Sequence, residues 1–155
     1  MKYTRAQLSW LVILRVAVGW HFLYEGIVKL INPNWSSVGF LLDSRGLFES
    51  FFHSLTSNPN WVNIIDQVNI WGLILIGLGL ILGVLARPAC LFGIFLLATY
   101  YLSHPPFVGL KYAVPSEGSY LLVNKNLIEL IALAVLFVFP SSRDIGIDRF
   151  IFKRR

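Results

Sequence analysis

The first apolar segment of the chain, from Leu8 to Ile31, is long enough to cross a bilayer and also contains ionisable side chains. These side chains are Arg15, His21, Glu25 and Lys29. At about 100° per residue, they share one arc of roughly 120° on a helix. A charge at membrane depth costs about 2.5–3.5 kcal/mol on insertion scales, so we expect this polar face to contact other helices. Residues of this kind indicate a functional site inside the protein.

The composition is that of an integral membrane protein. Hydrophobic residues make up 56% of the 155 residues and charged residues only 14%. Three further apolar segments cover residues of about 64–86, 89–103 and 121–139. Because about 20 apolar residues span the hydrocarbon core, the sequence predicts an all-α, four-helix membrane bundle with a single domain over residues 1–155. A cleavable signal peptide has an apolar core of only about 7–15 residues, so we interpret the first segment as a retained helix.

Most basic residues lie in the termini and in the connection between the second and third helices. Those assigned to one side of the membrane are Lys2, Arg5, Arg87, Arg143, Arg149, Lys153, Arg154 and Arg155. By the positive-inside rule, both termini and the turn at Arg87 are therefore expected in the cytoplasm. The long loops of about 32–61 and 104–120 then face outward. The net charge of +5 does not indicate nucleic-acid binding, because the basic residues are not gathered on one face.

The first outward loop contains an amphipathic segment of about 36–57, in which large apolar side chains alternate with charged ones. We expect this segment to lie in the outer interface or to cap the bundle. Trp35 and Trp61 flank it, as is typical of aromatic residues at a membrane interface.

Polar residues of the four predicted helices fall mostly in the outer half of the membrane. A pocket within the bundle, open toward the outer face, explains this distribution. The candidate residues for binding a small molecule are Arg15, His21, Glu25, Lys29, Asp66, Asn69, Tyr100, His104, Lys125 and Glu129. Arg15 is the exception, because it lies in the predicted inner half.

The charged candidates also have structural interpretations. Glu25 and Lys29 are spaced to neutralise each other across one helical turn, and so are Lys125 and Glu129. Arg15 could extend its side chain to the cytoplasmic face. These alternatives remain open at the level of the sequence.

The remaining ionisable residues have similar alternatives. Asp66 fits an acidic residue in the first turn of a helix near the interface. His21 and His104 are either paired haem ligands or polar residues with hydrogen-bond partners, and His53 is expected in solvent. The sequence contains no convincing metal-ligand spacing, so no metal site is predicted.

Several motifs together carry a resemblance to a known family. They are R-x3-G-x2-F-x3-G-x2-K from Arg15 to Lys29, LGLILGVLARPA at the end of the second helix, HPPF after the third, and VNKNLIEL at the start of the fourth. With these motifs the chain resembles the DoxX/DoxD-like family over nearly its whole length. The resemblance implies a four-helix protein of the bacterial or archaeal cytoplasmic membrane.

The family takes its name from the small membrane subunit of thiosulfate:quinone oxidoreductase, so the resemblance implies quinone-linked electron transfer. Cys90 is the only cysteine, which excludes a dithiol pair within this chain and favours an apolar packing role for this residue. A redox partner subunit would then supply the electron chemistry, and a second copy of the chain is a further candidate partner. The alternative is a non-enzymatic module that carries a small solute or lipid, or that serves as a scaffold for a redox enzyme.

Given that resemblance, a quinone is the expected ligand of the pocket. Arg15, His21 or Tyr100 would donate hydrogen bonds to its head group, because their side chains carry N–H or O–H donors. Glu25 or Asp66 would carry protons. We therefore predict a membrane subunit of a redox system that binds a quinone in the outer half of the bundle.

Overall fold

The computed structural model describes residues 3–107, 109–113 and 121–152, and this part of the chain is helical with no strand. The long helices are α1 (Arg5–Ile31), α4 (Pro59–Leu82), α5 (Ala86–Ser103) and α6 (Lys125–Val138). The short helices are α2 (Val38–Leu42), α3 (Glu49–Leu55) and α7 (Asp148–Ile151), and a 3-10 helix covers Ser141–Arg143. The predicted all-α class is confirmed for the described residues.

Among the described residues, three helices are long and apolar enough to cross a membrane, namely α1, α4 and α5. Helix α6 has 14 residues. At about 1.5 Å per residue it is roughly 21 Å long, less than the roughly 30 Å of a hydrocarbon core. Its expected extent of 121–139 is shortened at the N-terminal end, because Asn124 caps the helix by accepting a hydrogen bond from the backbone N–H of Leu127 at 3.0 Å.

Helix α1 begins three residues before the predicted start at Leu8 because a capping box fixes its first turn. The Thr4 hydroxyl accepts a hydrogen bond from the backbone N–H of Gln7 at 3.2 Å. The Gln7 side chain accepts one from the backbone N–H of Thr4 at 2.9 Å. These reciprocal bonds satisfy two donors that a helix start leaves unpaired.

Helix α4 begins at Pro59, earlier than the predicted 64, because Asn58 caps it and proline suits the first turn. It ends at Leu82 because Gly83 adopts a left-handed conformation with φ of 64°. The chain then turns directly into α5, which begins at Ala86 and not at the predicted 89.

The four long helices surround one apolar core. Helix α4 packs along α1 and against α5, while α6 packs against α5 and α1. The buried members of this core are Val18, Phe22, Leu73, Ile76, Leu80, Ala89, Cys90, Leu97, Leu133 and Leu136. Cys90 is 1% exposed and belongs to this core, which agrees with its predicted packing role.

The outward faces of the long helices carry large apolar side chains. Trp20 is 61% exposed, Leu75 64% and Phe95 73%. A surface of this kind suits contact with lipid tails and would be costly in water. The structure therefore supports a bilayer environment for α1, α4 and α5.

The C-terminal segment folds back onto the turn between α4 and α5. The backbone N–H groups of Ile147 and Asp148 donate to the carbonyls of Leu82 and Gly83 at 3.1 and 2.8 Å. The Asp148 carboxylate accepts from the backbone N–H groups at the start of α5, at 2.7 and 3.1 Å. The segment therefore closes one end of the helical core.

Several residues used in the topology prediction fall outside the described part of the chain. They are Lys2, Lys153, Arg154 and Arg155, together with residues 108 and 114–120 of the second long loop. The placement of the termini in the cytoplasm stays a prediction.

Candidate functional site

A cavity of about 620 Å³ lies at the end of the helices opposite the C-terminal segment. Its walls come from the second half of α1, the middle of α4, the end of α5 and the start of α6. The remaining side comes from the connections between the long helices, with residues 35–37, 39–40, 104, 106–107, 110 and 112. A volume of this size is typical of sites for small organic molecules, which range over about 300–1,000 Å³.

All of the predicted site residues except Arg15 and Asp66 line this cavity. They are His21, Glu25, Lys29, Asn69, Tyr100, His104, Lys125 and Glu129. The sequence places them on four separate helices or helix ends, and the packing brings them around one space. Their role in binding stays a prediction, but their proximity is a property of the fold.

The first wall is organised around Lys29. Its Nζ donates a hydrogen bond to the side-chain oxygen of Asn69 at 3.0 Å. The amide nitrogen of Asn69, which is 9% exposed, donates in turn to the hydroxyl of Tyr100. Lys29 Nζ also lies 5.1 Å from the ring centre of Trp35 and 5.6 Å from that of Tyr100. These contacts fix an ammonium group between two aromatic faces and an amide oxygen.

The second wall is organised around His21. Its Nδ1 forms a hydrogen bond with the Glu129 carboxylate, and its Nε2 lies 3.9 Å from the Glu25 carboxylate. The side chain of Glu129 is only 18% exposed, whereas that of Glu25 is 47% exposed. His21 therefore connects an inner carboxylate with one that reaches the solvent-accessible part of the cavity, an arrangement suited to passing a proton.

Aromatic rings form the third side of the cavity. The His104 ring stacks on Phe40 with 4.0 Å between ring centres and lies 4.8 Å from Tyr112. Phe40 also meets Tyr100 edge to face at 5.6 Å. We call Phe40, His104 and Tyr112 the aromatic roof, because they come from the connections between the helices and cover the cavity.

Asp43 links the connection between α1 and α4 to the connection that follows α5. Its carboxylate accepts a hydrogen bond from the backbone N–H of Ala113 at 3.0 Å and lies 3.8 Å from His104 Nε2. Burial lowers the pKa of His104, and the Asp43 charge opposes that shift. Burial also raises the pKa of Tyr112, with Asp43 as a second cause. The roof is therefore built to hold His104 neutral.

Asp66 positions the cavity without lining it. Its carboxylate accepts a hydrogen bond from the backbone N–H of Ser37 at 2.8 Å. Ser37 leads directly into α2, which carries Phe40. Asp66 therefore holds a backbone segment that contributes to the cavity.

Arg15 lies at the opposite end of the structure and is 3% exposed. Its guanidinium donates to the carbonyl of Ile145 at 2.8 Å and to the hydroxyl of Ser141 at 3.4 Å. The fold therefore brings Arg15 to the C-terminal segment and not to the cavity. The guanidinium does not extend to the membrane surface, because the protein encloses it.

The helical pairings considered for the charged residues do not all form. Lys29 bonds to Asn69, and no carboxylate oxygen of the described residues lies within 4.0 Å of its Nζ. Glu129 bonds to His21 on another helix. No group of three or more His, Cys, Asp or Glu side chains in the described ranges is arranged to hold a metal ion.

The main site residues that the sequence did not indicate are aromatic. The sequence indicates an interfacial position for Trp35 and an amphipathic segment for Phe40, and it indicates no role for Tyr112. Their positions in the sequence could have indicated a place in the site, because both lie near polar helix ends. Trp35 follows Lys29 closely in the chain, and Tyr112 follows the HPPF motif.

These features define a helical membrane protein with one large amphipathic cavity at an end of its core. The DoxX family model matches residues 10–105, which include most of α1 and all of α4 and α5, and the chain therefore belongs to the DoxX family. No curated protein and no solved structure matches the chain.

Proposed function

We propose that this protein is the membrane subunit of a redox system and that it binds a quinone, or a similar ring-shaped molecule, in the cavity. In this proposal all four long helices cross the bacterial cytoplasmic membrane as a bundle. Both termini are cytoplasmic, and the cavity opens toward the outer face. The observation that carries the proposal is the combination of aromatic faces and converging polar groups around one space of about 620 Å³.

The lining suits a quinone head group on chemical grounds. Aromatic faces such as those of Phe40 and Trp35 stack against a flat ring. The carbonyl oxygens of a quinone accept hydrogen bonds, and Lys29 and His21 carry N–H groups at separate walls of the cavity. When bound, a quinone would supply the capacity to take up two electrons and two protons. Its head group would be held by Lys29, Tyr100 and the aromatic roof.

The protein's own residues also suit proton movement at the cavity. His21 bonds to Glu129 on one side and faces Glu25 on the other. A proton at His21 can therefore pass between an inner carboxylate and one open to water. Since Cys90 is the only thiol of the chain, a dithiol electron donor would belong to a partner subunit.

The cavity offers a site at which the proposal can be tested without disturbing the core. Gly39 lines the cavity, and a Cβ atom added there meets no heavy atom within 4 Å. Gly72 on α4 has equally open surroundings but does not line the cavity. Phenylalanine at Gly39 should fill part of the space, whereas phenylalanine at Gly72 should not.

We expect the purified protein to retain quinone, identified by solvent extraction and mass spectrometry. Gly39→Phe should lower the quinone content about tenfold because it occupies the ligand's space, while Gly72→Phe retains it. Equal quinone content in the two variants would show that the quinone binds outside this cavity. A lipid or a small solute in place of quinone, lost in Gly39→Phe alone, would support the non-enzymatic carrier instead.

A further inference from the structure

Lys29 lines the cavity, and its direct contacts carry no opposite charge. Its hydrogen bond goes to the neutral amide of Asn69, and its other contacts are the rings of Trp35 and Tyr100. Glu25, one turn earlier on α1, has its carboxylate directed to His21 at 3.9 Å and lies beyond 4.0 Å from Lys29. An ammonium group has three N–H donors, and these contacts use only one of them.

The groups in direct contact with Lys29 interact better with the charged form of the amine than with the neutral form. Aromatic faces attract cations through their quadrupoles, and an amide oxygen is a good acceptor for an ammonium donor. A neutral amine would gain little from either ring. The cavity therefore offers a fixed positive charge with unused donors at its inner side.

The carboxylates of the cavity compensate this positive charge only in part, because Glu25 attracts it from beyond ion-pair distance. Glu129 is engaged by His21, and Glu25 is nearly half exposed, so that solvent screens it more strongly than a buried charge. Burying a charge without an opposite partner is costly in a protein interior. A bound ligand that brings a negative oxygen to Lys29 would remove that cost.

We infer that the cavity takes an anionic ring compound, namely a planar quinoid or aromatic molecule with an ionised oxygen that pairs with Lys29. The inference rests on the proposed function, in that the cavity is the ligand site, and it adds the charge of the ligand. The rings around Lys29 then stack on the ligand while the ammonium group donates to its ionised oxygen. The Tyr100 ring contacts the Lys29 ammonium group and also lines the cavity, so it can contact both the ammonium group and the ligand.

Two closely matched probes test the charge of the ligand. They are 1,4-naphthoquinone, which is neutral, and 2-hydroxy-1,4-naphthoquinone, which is ionised at neutral pH and has nearly the same shape. Binding is measured by quenching of tryptophan fluorescence in phosphatidylcholine nanodiscs, with empty nanodiscs to correct for partition into lipid. We expect the anionic probe to bind about tenfold more tightly than the neutral one, as one added charge-assisted hydrogen bond would give.

Variants at Lys29 and at its partner Asn69 separate the charge effect from a purely structural role of Lys29. Asn69→Asp places a carboxylate where the Asn69 amide now accepts the Lys29 hydrogen bond, and Lys29→Gln removes the positive charge but keeps a polar group of similar length. In both variants the preference for the anionic probe should be lost, so that the ratio of the two dissociation constants falls to about one. Lys111→Gln, at an exposed loop position outside the cavity lining, should leave the preference intact.

The outcomes separate this inference from the proposed function. If the two probes bind the unchanged protein equally, or if Asn69→Asp and Lys29→Gln keep the preference for the anion, the inference is overturned and the quinone site stands. If neither probe binds, the quinone site itself is overturned. Melting temperatures of the variants, measured in the same nanodiscs, identify any variant that has lost its fold.

Discussion

At the end of the structure that contains the cavity, Lys29 and His21 face open space, whereas at the opposite end Arg15 faces the chain's own C-terminal segment. We refer to the second region as the closed end. It is formed by Arg15, Gly83, Ser141, Ile145 and Asp148. Both ends contain ionisable side chains of α1, a helix that is long and apolar enough to cross a membrane.

The comparison shows that an intramembrane charge does not by itself identify a ligand site. At the closed end the two terminal nitrogens of Arg15 donate to a backbone carbonyl and a hydroxyl, and the Asp148 carboxylate accepts a hydrogen bond from the start of α5. The cavity end leaves donors and carboxylates around a space of about 620 Å³. Stability should therefore depend mainly on the closed end and ligand binding mainly on the cavity end.

The largest effect is expected for Asp148→Ala. Asp148 is 4% exposed and accepts from the backbone N–H groups of Leu85 and Ala86. Removing the carboxylate leaves both donors unpaired, so we expect a loss of about 2 kcal/mol in the free energy of unfolding. Thermal unfolding in detergent measures the loss, and the ligand content per folded protein should not change.

Glu49→Ala is the matched control for Asp148→Ala, because Glu49 pairs with Arg45 at 3.3 Å on the surface. An exposed pair of this kind contributes less than about 1 kcal/mol. If Asp148→Ala and Glu49→Ala lower the free energy of unfolding equally, the closed end does not contribute more to stability than an exposed ion pair.

A smaller effect is expected for Arg15→Lys. Lysine cannot reproduce the planar fork that reaches both Ile145 and Ser141, and we expect a loss of about 1 kcal/mol in stability. Ligand content should be fully retained, because Arg15 does not line the cavity. Mass spectrometry of the extracted ligand decides the point. Loss of the ligand at an unchanged melting temperature would show that Arg15 contributes to ligand binding.

The smallest effect is a pH dependence of the aromatic roof. Burial lowers the pKa of His104 below its usual value of 6.5, so the unfolded chain binds the proton more readily than the folded one. The stabilisation from neutral His104 is therefore complete above about pH 6.5 and is lost as the pH falls through the lowered folded-state pKa. The attraction of Asp43 for the protonated ring reduces the effect but does not reverse it.

Hydrogen exchange of the Ala113 amide measures this change, because that amide donates to Asp43 beside His104. Its protection factor should be lower at about pH 5 than at about pH 7.5. His104→Asn should remove the difference, since asparagine does not titrate in this range. A protection factor that rises on acidification would mean that the Asp43 interaction dominates over burial.

Much of the helical framework could be predicted from the sequence, because long apolar segments and polar helix ends are local signals. The earlier start of α4 was also encoded locally, in Asn58 as the cap and Pro59 in the first turn. The grouping of polar residues at one end followed from the cost of charge in lipid, and the fold brings Lys29 and His21 to the same cavity.

The partners of the charged residues could not be predicted in the same way. Arg15 donates a hydrogen bond to a backbone carbonyl more than a hundred positions away. Every residue type has a backbone carbonyl, so the sequence does not indicate which one serves as the acceptor. His21 prefers Glu129 on another helix over Glu25 on its own. The packing angle between helices decides such pairings, and one sequence does not specify it. The aromatic roof was missed for the same reason, because loops bring it together.

The glycines between α1 and α4 have a consequence for how the cavity adapts to a ligand. A Cβ atom on Gly77 would lie 2.5 Å from the backbone nitrogen of Leu23, and one on Gly26 would lie 3.0 Å from that of Ile74. The two backbones are therefore in direct contact along the wall that carries both Lys29 and Asn69, and they cannot separate without losing this packing. We expect this wall to stay rigid, so that the cavity adapts to molecules of different size by movement of Phe40 and Tyr112, which lie between the long helices.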